Sequence, residues 1–88
     1  MRNSLSEAIQ LSLYGRLNCH LCEDMQQALA EYQSSLNFTL KMVDIDEDPV
    51  LIDEYSTKVP VLMHGDHEIC HYFLDPQALQ MYFSTRPE

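Results

Sequence analysis

Cys19-His20-Leu21-Cys22 is the stretch of this 88-residue sequence whose residue types and spacing point most directly to chemistry. Two thiols separated by two residues can close a disulfide or supply half of a metal site. In either role the thiolate is the working form, so what surrounds the sulfur decides its use. A cysteine at the start of a helix meets free backbone N–H groups and the positive end of the helix dipole, and both favour the anion. Cys19, at the open edge, fits the attacking sulfur. Cys22, one turn deeper, fits the sulfur that resolves a mixed disulfide. Glu23 and Asp24 suit the helix start but work against a neighbouring anion, so a moderate stabilisation of the thiolate is expected.

A zinc site is the competing use of the pair, with Cys70, His67 or His71 completing four ligands. Closed structural sites usually show a second paired motif, and these candidates instead share one segment far along the chain. Covalent haem needs His directly after the second Cys, and Glu23 stands there. Cys70 alternates with Ile69 and reads as a small buried residue. His20 fits either a weak cation beside the thiolate or an exposed spacer. The remaining histidines, His64, His67 and His71, read as turn and strand-edge residues. The run Asp44 to Asp48 lacks the Gly and the distal Glu of a calcium loop and reads as a cap with a solvated turn.

Val59-Pro60 is the second informative feature. Proline inside a strand is unfavourable except at an edge or in a special geometry, and X–Pro bonds accept the cis form far more readily than others. A cis bond here would leave the Val59 N–H and C=O open to pair with an extended substrate. Tyr14 and Arg16 flank the cysteine loop. Each is a candidate contact for a substrate carboxylate or the thiolate, beside the plainer role of packing and solvation. The candidate substrate contacts are therefore Val59, Pro60, Arg16 and Tyr14.

The elements that must position these groups are readable from period. Ile9 to Tyr14 alternates as a strand and Gly15 ends it. Helical spacing of Leu21, Met25, Ala28, Leu29 and Tyr32 predicts a helix over Cys22 to Tyr32, with Asn18 as N-cap. Ser34 to Asn37 reads as a turn. Phe38 to Ile45 is the second strand, with Phe38, Leu40 and Met42 on one face. Asp48-Pro49 opens a short helix to Tyr55, because Pro at the first helical position sacrifices no hydrogen bond. Val59 to Met63 and Glu68 to Tyr72 form a hairpin through His64-Gly65-Asp66-His67. Asp75-Pro76 repeats the cap and opens a last helix to Phe83. The order is βαβαββα, an α/β fold with a four-stranded mixed sheet flanked by three helices. Residues 1–8 read as a flexible arm and 9–88 as one domain.

Composition narrows the partners. Fourteen acidic against five basic residues give a net charge of −9, and the basic residues are scattered. That excludes a phosphate-tracking surface for nucleic acid and disfavours an anionic membrane. No run approaches the length of a spanning helix. Met1 to Ala8 lacks the apolar core of a secretory leader. Three cysteines with one tight pair suit a cytoplasmic protein better than a secreted disulfide framework.

The segments LYGRLNCHLCEDMQQAL, VDIDEDP and KVPVL with its hairpin resemble the glutaredoxin-like proteins of the thioredoxin superfamily, over roughly residues 9 to 83. The resemblance implies the thioredoxin fold, Cys19 as nucleophile, Cys22 as resolving thiol and Pro60 as a cis-proline. It implies a thiol–disulfide oxidoreductase acting on a disulfide-bearing protein or small thiol, with a reductase or glutathione as electron donor. No bound cofactor is implied, and a monomer is expected. Glutaredoxins carry Gly-Gly before an Asp after the fourth strand, where backbone amides bind a glutathione carboxylate. Here the stretch reads His71-Tyr72-Phe73-Leu74-Asp75, and without glycines the backbone approaches a ligand less closely. A non-catalytic module of the same fold, its CxxC a structural disulfide or metal clip, is the alternative.

Overall fold

The computed structural model describes residues 9–85. The arm expected over 1–8 and the chain end at Arg86-Pro87 lie outside the described residues. Strand β1 (Ile9–Gly15) carries Leu11 and Leu13, both fully buried, on one face. Helix α1 (His20–Ala30) packs Met25 and Leu29 onto that face. A short helix α2 (Gln33–Leu36) follows where the sequence predicted a turn. It closes on Asn37 in the left-handed conformation, φ 59°, where Asn is one of the few non-glycine residues tolerated. Four residues are too few for periodicity to reveal.

Strand β2 (Phe38–Asp44) runs parallel to β1, from the pair Ile9–Phe38 to the pair Gly15–Asp44. Burial fades along it: Phe38 is buried, Leu40 half-buried, and Met42 47% exposed. A 3-10 turn over Ile45–Glu47 leads to α3 (Pro49–Tyr55). Asp44 accepts from the Asp46 N–H at 2.9 Å and Asp48 from the Val50 N–H at 3.0 Å. The acidic run is thus two successive caps, where the sequence suggested one cap with a solvated turn.

Strands β3 (Val61–His64) and β4 (His67–His71) form the antiparallel hairpin, turning at Gly65 with φ 60°. A bulge in the pairing leaves Ile69 between the pairs Leu62–Cys70 and Met63–Glu68. Helix α4 (Pro76–Thr85) opens with Asp75, whose carboxylate accepts from the Ala78 N–H at 3.1 Å. The sheet order is β2-β1-β3-β4. Leu79 of α4 joins Leu11, Leu13, Met25, Leu29, Phe38 and Leu62 in one core cluster. Alternate strand residues face opposite ways, and Tyr14, on the far face of β1, meets the ring of Tyr55 in α3 at 4.9 Å. Helices therefore cover both faces of a mixed four-stranded sheet, the thioredoxin-like fold that the segment order predicted. No helix among the described residues is long and apolar enough to cross a membrane.

This topology gathers one working end. Strands β1, β2 and β4 all finish there, and β3 starts there. Gly15 and Pro60 each stand one residue beyond the last rung of the β1–β3 ladder, Tyr14 with Val61.

Candidate active site

Cys19 sits at the N-cap of α1 with extended backbone, φ −105° and ψ 105°. Its Sγ accepts from the Cys22 N–H at 3.1 Å, so the sulfur itself satisfies one of the orphan donors of the first turn. Asn18, expected as the cap, takes a left-handed φ of 58° instead and turns the chain into the helix. The helix consequently starts at His20, two residues earlier than the periodicity indicated. Cys19 and Cys22 are joined in a disulfide, with Cα atoms 5.2 Å apart. Cys19 is half-buried, whereas Cys22 is only 5% exposed. The outer sulfur is open to a partner and the inner one is screened.

Gly15 makes that burial possible. It lies on the same face of β1 as Leu11 and Leu13, and a Cβ added to it would stand 3.0 Å from the Cys22 Sγ. Read as a strand terminator, Gly15 was missed as a site residue. The signal was its place on the inward-facing register of β1.

The Val59–Pro60 bond is cis and Pro60 is fully buried. The sequence reading that both backbone groups of Val59 stay open is corrected by the structure. The Val59 N–H donates to the Tyr55 carbonyl at 3.1 Å, and the Lys58 N–H reaches the same oxygen at 2.8 Å. The reason lies in α3, whose last carbonyls have no intrahelical donors, so the chain folds back to supply them. Of the two groups, it is the N–H that is taken.

Arg16 lines a hollow of about 130 Å³ with Gly15, Leu17, Cys22 and Met42. Its guanidinium is engaged with Asp46, Nη2 to Oδ1 at 2.7 Å and Nε to Oδ1 at 3.1 Å. The hydrogen bond from Arg16 holds the Asp46 carboxyl below its usual range. Tyr14 packs on Tyr55 on the sheet face away from Cys22. His20 is exposed, with Nε2 3.4 Å from Asp24. Cys70, His67 and His71 occupy separate settings along β4. Cys70 is half-buried and desolvation pushes its thiol up; His67 stacks on Tyr82, with centroids 4.7 Å apart. His71 Nδ1 lies 2.6 Å from Glu68, which also takes Lys58 Nζ at 2.8 Å. Among the described residues, no group of three or more His, Cys, Asp or Glu side chains is placed to hold a metal ion.

Residues 10–84 match the glutaredoxin-like domain family (DUF836). The chain belongs to that family. Among solved structures, this glutaredoxin-like chain is similar to protein Ne2328 of Nitrosomonas europaea, with 40% identity and a TM-score of 0.79, over 93% of this chain and 98% of that one. It is also similar to protein XcR50 of X. campestris, 31% identical with a TM-score of 0.71, over 88% of this chain and 99% of that one. Uncharacterized protein Rv0508 of Mycobacterium tuberculosis is 28% identical over 76 residues, which are 81% of this chain and 78% of that protein. Family, fold and the Cys19–Cys22 pair together fit a thioredoxin-like redox role.

Proposed function

We propose that the protein is a thiol–disulfide oxidoreductase of dithiol type, reducing disulfides of proteins or small molecules. The observation that carries this reading is the setting of Cys19: its sulfur lies on the Cys22 amide at the mouth of α1 and within bonding reach of a second, screened sulfur. A donor aimed at that atom stabilises the anion that must form there.

In the reduced protein, the Cys19 thiolate attacks one sulfur of the substrate disulfide. The substrate S–S bond breaks, a Cys19–substrate disulfide forms, and the departing sulfur takes a proton. Cys22 then gives up its proton and attacks the Cys19 Sγ. The mixed disulfide breaks, the second substrate thiol leaves, and the Cys19–Cys22 bond closes. Two electrons pass to the substrate. A thiol donor, glutathione or a reductase, returns them, as a cytoplasmic setting would permit. Pro60 and the Val59 carbonyl border the site where the substrate chain lies in this reading; Arg16 flanks it at the hollow that Cys22 lines, while Tyr14 packs on Tyr55 across the sheet. The protein acts as a monomer with no bound cofactor.

The deciding experiment is turnover of a disulfide substrate by single-cysteine variants. Cys19→Ser should abolish it, whereas Cys22→Ser should accumulate a mixed disulfide visible by mass. Wild-type activity in Cys19→Ser would end this reading in favour of a non-catalytic module.

A further inference from the structure

The surroundings of the disulfide combine an excess of negative charge with exposed apolar surface. Among the described residues there are 12 Asp and Glu but only three Lys and Arg. The working end takes a large share of the carboxylates: Glu23 and Asp24 on α1, Asp44 at the end of β2, Glu47 and Asp48 just after it, and Asp75 after β4. The two cations nearest this end are already engaged, Arg16 with Asp46 and Lys58 with Glu68.

The backbone donors around the cis-proline and after β4 are largely engaged too. The Val59 N–H goes to Tyr55, the Tyr72 N–H to the Pro60 carbonyl at 2.8 Å, and the Phe73 N–H to the His71 carbonyl at 2.8 Å. The first turn of α4 takes the carboxylate of Asp75. Tyr72, with φ 68°, holds a backbone position that favours glycine, and its hydroxyl donates to the Thr57 carbonyl.

Apolar surface lies on both sides of the cysteines. Toward the β2 edge, Leu17 is 78% exposed and flanks the hollow walled by Cys22 and Met42. Toward the β4 edge, a hollow of about 240 Å³ runs between Leu21 of α1 and Phe73, itself 66% exposed. Because β2 and β4 are opposite edges of the sheet, the two hollows flank the N-terminal half of α1 from either side.

We infer that the substrate of this site is a basic polypeptide segment with apolar residues on either side of its disulfide sulfur, and not glutathione disulfide. The inference rests on the redox reading above. Apolar side chains on the two sides of the sulfur fill the two hollows, while Lys or Arg beside them meets the carboxylate rim. Glutathione disulfide is net negative, and among the described residues the two cations near this end and the Val59, Tyr72 and Phe73 amides are already taken.

The test uses the reduced full-length chain and two disulfide-bonded peptides of one length and one apolar pattern. One is flanked by Lys and the other by Glu, with the neutral 2-hydroxyethyl disulfide as reference. At low ionic strength the basic peptide should be reduced at least about tenfold faster than the acidic one, and salt should narrow the ratio. In the variant Asp24→Asn/Asp44→Asn the ratio of the two rates should fall; Asn keeps the capping oxygen of residue 44. Equal rates, or faster reduction of the acidic peptide or of glutathione disulfide, would overturn the inference. Reduction of the neutral reference in that case would leave the oxidoreductase reading standing. If none of the disulfides is reduced, the oxidoreductase reading falls, and this inference falls with it.

Discussion

Gly15 and Cys22 share one small volume: a methyl group on the glycine would stand 3.0 Å from the sulfur and 3.3 Å from the Cβ of Cys22. In the oxidised protein that sulfur is tethered to Cys19 and has little room to yield. In the reduced protein it is free to change rotamer. Gly15→Ala should therefore destabilise the oxidised form by about 1–3 kcal/mol, in the range of core overpacking, and the reduced form by less. Denaturant titration of the two redox forms measures the difference. An equal loss in both would show that the close approach does not depend on the tether.

The ion pairs predict how stability follows acid. Asp46 and Glu68 both lie below the usual carboxylate range, through hydrogen bonds from Arg16 and Lys58 respectively. A depressed folded value means that the unfolded chain binds the proton more readily. The stabilisation is therefore complete above the unfolded carboxylate range, about 3.9 to 4.3, and is lost as pH falls through the folded values. Asp46→Asn and Glu68→Gln should each lower Tm near neutral pH, and both gaps should close in strong acid. Persistence of either gap at the acid limit would assign it to something other than charge.

Leu79 ties α4 to the sheet and is fully buried, whereas Leu17 is exposed beside the cysteine loop. Leu79→Ala should cost about 2–5 kcal/mol in urea unfolding. Leu17→Ala should stay within about 0.5 kcal/mol.

Cys70 separates from the working pair by reactivity. Burial raises its thiol and so reduces its thiolate fraction near neutral pH. In a pulse of alkylating reagent on the reduced protein, Cys70 should be modified roughly tenfold or more slowly than Cys19. Peptide mass spectrometry reads this directly. Comparable labelling would mean that burial does not keep Cys70 from forming a reactive thiolate.

Much of the architecture was legible because short-range chemistry and long-range packing agree. Asp48-Pro49 and Asp75-Pro76 open α3 and α4 where cap and proline foretold, and the alternation in IQLSLY is the alternation of burial in β1. The cysteine pair was legible from spacing alone. The details that escaped depend on backbone angles or on distant neighbours. Whether Asn18 or Cys19 caps α1 is decided by which of them is extended. The engagement of the Val59 N–H is decided by the carbonyls left over at the end of α3. The role of Gly15 exists only once β1 and α1 are packed together.

The contact between the Cys22 N–H and the Cys19 sulfur also makes the first turn of α1 a built-in sensor. The shielding of that one proton depends on whether the sulfur is bridged, anionic or bonded to a substrate. A single labelled nitrogen at residue 22 would thus track each stage of a turnover in solution by magnetic resonance, with no dye or attached reporter.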